Sequence, residues 1–108
     1  PSLEAFAAAA ANADWKSAPY GFYLMLDDQP GDQSWPIAGA TFIMVHKDQP
    51  DLAKAQAMLK YFDWCYQHGS EMAEKLDYIP MPKSVVDMVE ATWATEITSG
   101  GKPVWPVK

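Results

Sequence analysis

The chain has 108 residues, a formal net charge of −6 and 49% hydrophobic content, enough apolar material for one modest core. The acidic balance argues against nucleic-acid binding, which needs basic surfaces to displace counterions, and the eight basic residues are all lysine, so no guanidinium fork is present to grip an anion bidentately. No apolar run reaches the roughly 18–20 residues that cross a bilayer, and a lone cysteine, Cys65, excludes an internal disulfide.

Ser2 is the expected N-cap of a first helix running to about Ala13. Glu4 falls in its first turn, where the helix dipole favours negative charge, and Leu3, Phe6 and Ala10 mark an apolar face. Ser17-Ala18-Pro19 closes that region. Residues 20–26 read as a strand weakened by Gly21. A loop over residues 27–34 follows, with Pro30-Gly31 suited to the two central positions of a type II turn.

Residues 38–45 carry no charge, and Thr41-Phe42-Ile43-Met44-Val45 is rich in β-branched and aromatic side chains without apolar/polar alternation. That pattern predicts an interior strand of a mostly parallel sheet, buried on both faces. Pro36, lacking an N–H, belongs at its first residues. Such a strand needs a neighbour on each edge, and only residues 20–26 offer one. Part of the sheet is therefore expected outside this chain. The start, Pro1-Ser2-Leu3, has neither Met nor a basic or apolar leader; it fits a trimmed N-terminus or an internal fragment, and the missing strand partners favour the fragment.

Beyond the strand the pattern turns helical. Asp48 is the expected N-cap of a long helix with Pro50 near its first position. Leu52, Ala55, Leu59, Phe62 and Tyr66, broadened by Met58 and Cys65, form its buried stripe, and Gly69 is placed to end it. Ser70 with Glu71 is expected to cap a short helix over residues 71–76. Pro82 opens a last helix whose apolar face is Val85, Met88, Val89, Thr92, Trp93 and Ile97. Ser99-Gly100-Gly101 stops it, and residues 102–108 form a tail in which Val104 and Trp105 dock. The fold class is α/β, with a composition shift near residues 34–39.

Asp63, Cys65 and His68 lie on one helix, with Cys65 and His68 three residues apart. A thiolate–imidazole nucleophile or half a metal site is conceivable there, but the base, the electropositive setting and the remaining ligands are missing. Cys65 beside the apolar stripe reads as a small hydrophobe. His46 follows the buried strand, where α/β folds place ligand groups, yet His46-Lys47-Asp48 reads equally as a solvated helix cap, the preferred reading. The Trp and Tyr residues form no visible cluster and are assigned to packing. Ser99-Gly100-Gly101-Lys102 follows a helix rather than preceding one and lacks Walker spacing. Asp27-Asp28 and Glu71/Glu74 read as solvated charges. The residues alone thus give no catalytic, metal, cofactor or anion-binding site.

Ala13-Asp14-Trp15, Ser34-Trp35-Pro36-Ile37, Thr41-Phe42-Ile43, His46-Lys47-Asp48-Gln49, Phe62-Asp63-Trp64, Leu76-Asp77-Tyr78, Pro82-Lys83-Ser84-Val85-Val86 and Gly101-Lys102-Pro103 resemble, in order, the C-terminal third of the phosphate-binding protein of bacterial phosphate ABC transporters. Residues 20–31 depart most from that pattern. The resemblance implies a two-lobed type II periplasmic binding protein that closes on its ligand by hinge bending. It places residues 1–34 at the end of the second lobe, residues 35–39 at the inter-lobe crossover and residues 40–108 in the first lobe. The implied partners are inorganic phosphate, the N-terminal portion of the same protein and an ABC transporter permease. The implied location is the periplasm, and no cofactor or enzymatic activity is implied. The family's phosphate-holding groups come from earlier parts of the chain, so no ligand residue is carried over. A different anion on the same scaffold, a small enzyme using Cys65 and His68, and an interaction domain are the alternatives.

Overall fold

The computed structural model of the chain describes residues 1–106, apart from the side chain of Tyr20. Helix α1 (Leu3–Asn12) starts as expected, with the Ser2 hydroxyl accepting the Ala5 N–H at 3.2 Å. Its far end is held by the buried Trp15 indole, which donates to the Ala10 carbonyl at 2.6 Å and so satisfies one of the helix's last free acceptors. Leu3 is exposed, and the face that packs is Ala9 and Ala10 with half-buried Phe6. A single 3-10 turn follows at Trp15–Ser17.

Residues 20–26 do not form a strand. Pro19 starts a one-turn helix, α2 (Pro19–Phe22), and Gly21 and Phe22 both take positive φ, which stops it at once. In the loop, Gly31 has φ +105, as the second central position of the expected turn requires. A Cβ there would also stand 2.5 Å from the Asn12 amide nitrogen. That close approach lets Asn12 reach the Ser34 hydroxyl (3.1 Å), which donates to the Pro30 carbonyl (2.7 Å), pinning the loop to the end of α1.

The central expectation fails within this chain. Residues 38–45 carry no helix, turn or ladder, and Phe42, Ile43 and Met44 are 45, 66 and 97% exposed. The reason is partnership. A strand exists only when a neighbour takes its hydrogen bonds, and residues 23–26, its one internal candidate, meet it only through side chains such as the Tyr23–Phe42 ring pair at 6.3 Å. The expected mostly parallel sheet is accordingly not built from these residues. The only ladder among the described residues is a hairpin, β1 (Thr98–Ser99) with β2 (Lys102–Pro103), plus an isolated parallel bridge from Asp48 to Thr98. Gly100 and Gly101, with φ +56 and +74, supply the two left-handed positions of its tight turn.

Helix α3 (Leu52–His68) begins later than expected: Asp51, not Asp48, is the cap, its carboxylate accepting the Lys54 N–H at 3.0 Å. Asp48 is diverted into the bridge to Thr98. Ala55 and Leu59 are buried and Met58 and Phe62 half-buried; Leu52 faces solvent, and Tyr66 keeps about a third of its surface exposed (37%). Gly69 ends α3 as expected, though in a right-handed conformation (φ −85). Helix α4 (Ser70–Glu74) includes Ser70 rather than being capped by it. Helix α5 (Lys83–Glu96) starts directly after Pro82 and buries Val85 and Trp93, with Ile97 buried as its C-cap.

Helix α5 joins two apolar clusters. Val85 packs with Ala9, Ala10, Ala13, Trp15, Leu26 and Ala38. Trp93 and Ile97 pack with Ala55, Leu59 and Val104, and Val89 touches both groups. Residues 1–34 therefore share a core with the start of α5. The tail docks through Val104 and Trp105 as expected; Val107 and Lys108 lie outside the described residues. The radius of gyration is 15.0 Å, against about 13 Å for a close-packed chain of this length. The accessible surface of 7661 Å² exceeds by roughly 1,700 Å² the value expected of a 12.0 kDa folded monomer. The flat shape, 45 × 30 × 18 Å, accounts for both.

Candidate functional site

Helix α3 carries the side chains singled out for chemistry, and the structure keeps them apart. His68 is exposed; its Nδ1 lies 3.1 Å from the Trp64 carbonyl and its ring stacks on Trp64 at 5.2 Å. Cys65 is half-buried with the Tyr61 hydroxyl beside it, a contact that raises the Tyr61 pKa. No hydrogen bond joins Cys65 to His68, so the pair is not a nucleophile and base. Asp63 accepts from Gln67 at 2.6 Å. Among the described residues no group of three or more His, Cys, Asp or Glu side chains could hold a metal ion.

His46 sits exposed at the end of the apolar run, its carbonyl taking a hydrogen bond from Gln49 at 2.7 Å, in keeping with a solvated lead-in to α3. Asp27 and Asp28 are exposed loop residues, and Glu71 pairs with Lys75 across one helical turn at 3.2 Å. Ser99-Gly100-Gly101-Lys102 is the hairpin turn, not a phosphate cradle. A cleft of about 490 Å³ between the end of α1 and the start of α5 is lined in part by Asp14, Lys16 and Asp87. Asp87 is bonded to Lys83 at 2.6 and 2.8 Å, and Asp14 is held ionised by its hydrogen bonds from Ser17.

Two features escaped the sequence reading. The aromatic residues do cluster: Trp93 gathers Phe62 (6.4 Å), Tyr66 (6.0 Å) and, edge-on, Trp105 (5.5 Å). Phe62 and Tyr66 were visible at one-turn spacing, but their convergence on Trp93 needs the α3–α5 crossing. The second is Glu90 on α5, which faces Asp63 of α3. Burial first, and then the Asp63 carboxylate, raise the Glu90 pKa; Tyr66 is also raised, by burial and then by Glu90.

The N-termini of α1 and α3 offer no ready anion site. The Ser2 hydroxyl occupies α1 and the Asp51 carboxylate occupies α3, whereas α5, which follows Pro82, has no side-chain cap. What remains conspicuous is the bare apolar run. Among the described residues, no main-chain group from Ile37 to Val45 bonds to another main-chain group.

No protein-family model matches the chain. It is 44% identical over 108 residues to the phosphate-binding protein PstS of Pasteurella multocida, covering 97% of this chain and 30% of that protein. Similar relatives with the same name occur in Xylella fastidiosa (43% over 96 residues, 89% of this chain and 26% of the relative) and Haemophilus influenzae (39% over 99 residues, 90% and 29%). The chain spans under a third of the length of these curated relatives. They are named as binding proteins, not as enzymes.

Proposed function

Because this chain belongs to the phosphate-binding protein family as a segment about 30% as long as its relatives, we propose that it is the C-terminal scaffold of a periplasmic phosphate-binding protein. In this reading the whole protein takes up inorganic phosphate and delivers it to an ABC transporter permease. The observation that carries the reading is similarity running nearly end to end along the chain. An anion site needs several N–H groups or cations aimed at one point; the N-termini of α1 and α3 are taken up by Ser2 and Asp51, and Lys83 and Lys75 are paired with carboxylates.

Within the same proposal, residues 1–34 end the second lobe, residues 35–39 cross between lobes and the remainder returns to the first as part of a type II binding-protein fold. The contact of α1 with Val85 then joins the two lobes, and hinge opening separates it. Isothermal titration tests the scaffold role. The 108-residue chain is expected to give no binding heat with phosphate, and tight stoichiometric binding by the chain alone would overturn it.

A further inference from the structure

We infer that the contact of α1 with the start of α5 is a latch between the lobes, and that Val85 sets phosphate affinity through it without touching phosphate. The inference rests on the lobe assignment above and adds which residues couple hinge bending to binding strength.

The latch is one apolar cluster fed from three segments. Ala9, Ala10 and Trp15 come from α1 and the turn behind it, Val85 from α5, and Ala38 from the crossover; each is 7% exposed or less. A hinge at residues 35–39 therefore has one of its own residues inside the contact that it moves. The α1 side is fastened to the near end of that hinge. The Trp35 N–H donates to the Ala5 carbonyl at 3.0 Å, the Phe6 and Trp35 rings lie 6.2 Å apart, and the Asn12 amide holds the Ser34 hydroxyl. The Val85 side is fastened to the other body, because Val89, one turn on, also packs against the cluster of Ala55, Leu59 and Trp93. Rotation about residues 36–39 thus carries α1 and its loop as a unit, and the Val85 contact is where the two bodies part.

Two features suit this contact to opening. The buried face of α1 itself is Ala9 and Ala10, which offer methyl groups and no long side chain to disengage. Beside the contact, the cleft of about 490 Å³ runs between Trp15 and Lys16 on one side and Ser84 and Met88 on the other. A permanently packed interior leaves few voids larger than a water molecule, whereas surfaces that separate need not fill the space between them. In the reading above, opening draws α1 away from Val85, so the buried contact belongs to the closed form. A contact made in one of two states shifts their populations, and apparent affinity follows the fraction of protein in the competent state. Val85 is in this sense a positioning residue, acting on phosphate through the hinge.

The test uses a full-length protein, the Pasteurella multocida relative with its matching region replaced by this chain. Calorimetric titration with inorganic phosphate should show binding about tenfold weaker in Val85→Ala than in the parent chimera. Val85→Thr, which keeps the shape and adds a hydroxyl, should shift affinity in the same direction. At saturating phosphate, small-angle scattering should give parent and variants the same radius of gyration, since the closed form itself is unchanged. Val104→Ala is the control: it removes the same atoms from an equally buried site in the other cluster, within residues 40–108. It should lower the melting temperature as Val85→Ala does and leave affinity within about twofold of the parent. Unchanged or tighter binding by Val85→Ala overturns the latch while the proposed function stands. An equal loss in Val104→Ala overturns it too, since general softening of the fold then accounts for both. A folded parent chimera that binds no phosphate overturns the proposed function and the latch together.

Discussion

Replacing Trp93 by alanine removes a large side chain that ties α3, α5 and the tail together. Its ring is nearly buried and meets Phe62, Tyr66 and Trp105 at 5.5–6.4 Å. Burying roughly 200 Å² at about 25 cal/mol per Å² is worth about 5 kcal/mol, and the edge-on pair with Trp105 adds about 0.5–1.5 kcal/mol. Partial collapse of the cavity brings the expected loss to about 3–5 kcal/mol. A domain of ordinary stability holds about 5–15 kcal/mol in total, so the variant should lose roughly a fifth or more of it. Urea unfolding followed by circular dichroism at the helical band measures the loss. Met44→Ala is the control: that side chain is almost fully solvated, and its removal should change stability by less than about 0.5 kcal/mol. A Trp93→Ala loss below about 1 kcal/mol, or one equal to the control, would refute the argument that this residue joins the elements.

Two further perturbations probe the α3 boundary and the α3–α5 interface. Asp51→Ala should cost about 1 kcal/mol through the lost cap, whereas Asp48→Ala, at a residue whose contribution is main-chain pairing, should cost little; the reverse order in urea melts would restore Asp48 as the cap. Glu90 is raised above its ordinary value of 4.5 by burial, by Asp63 and by Asp87, against the pull of Lys83. A raised carboxylate binds its proton more tightly in the folded state, so its stabilisation is complete below the unfolded value and is lost as pH rises through the folded one. Glu90→Gln should therefore melt higher than the parent at neutral pH and converge with it below about pH 4; a constant difference across that range would remove Glu90 as a titrating group.

The expectation of no anion site came from composition, because a chain without arginine has no guanidinium fork to offer an oxyanion. The chemistry withheld from Cys65 and His68 was legible for a similar reason: the partners that would activate them are not in the chain. Glu90 was not legible, because only the crossing of α3 over α5 sets it opposite Asp63.

Local patterns determined the helices. Ser2, Gly69 and Pro82 act on neighbours within one turn, and the stripes that bury Leu59 and Val85 follow from 3.6-residue periodicity. The apolar content of residues 38–45 was equally plain in the sequence. Whether that run becomes a strand depends on hydrogen bonds to another segment, and no local pattern supplies them. Tertiary structure decided the rest: Asp48 was drawn from its expected cap into pairing with Thr98, two glycines turned a helix stop into a hairpin, and the run from Ile37 to Val45 was left without main-chain partners among the described residues. Propensity is a property of a few consecutive residues, whereas a sheet and a core are made by segments distant in the chain.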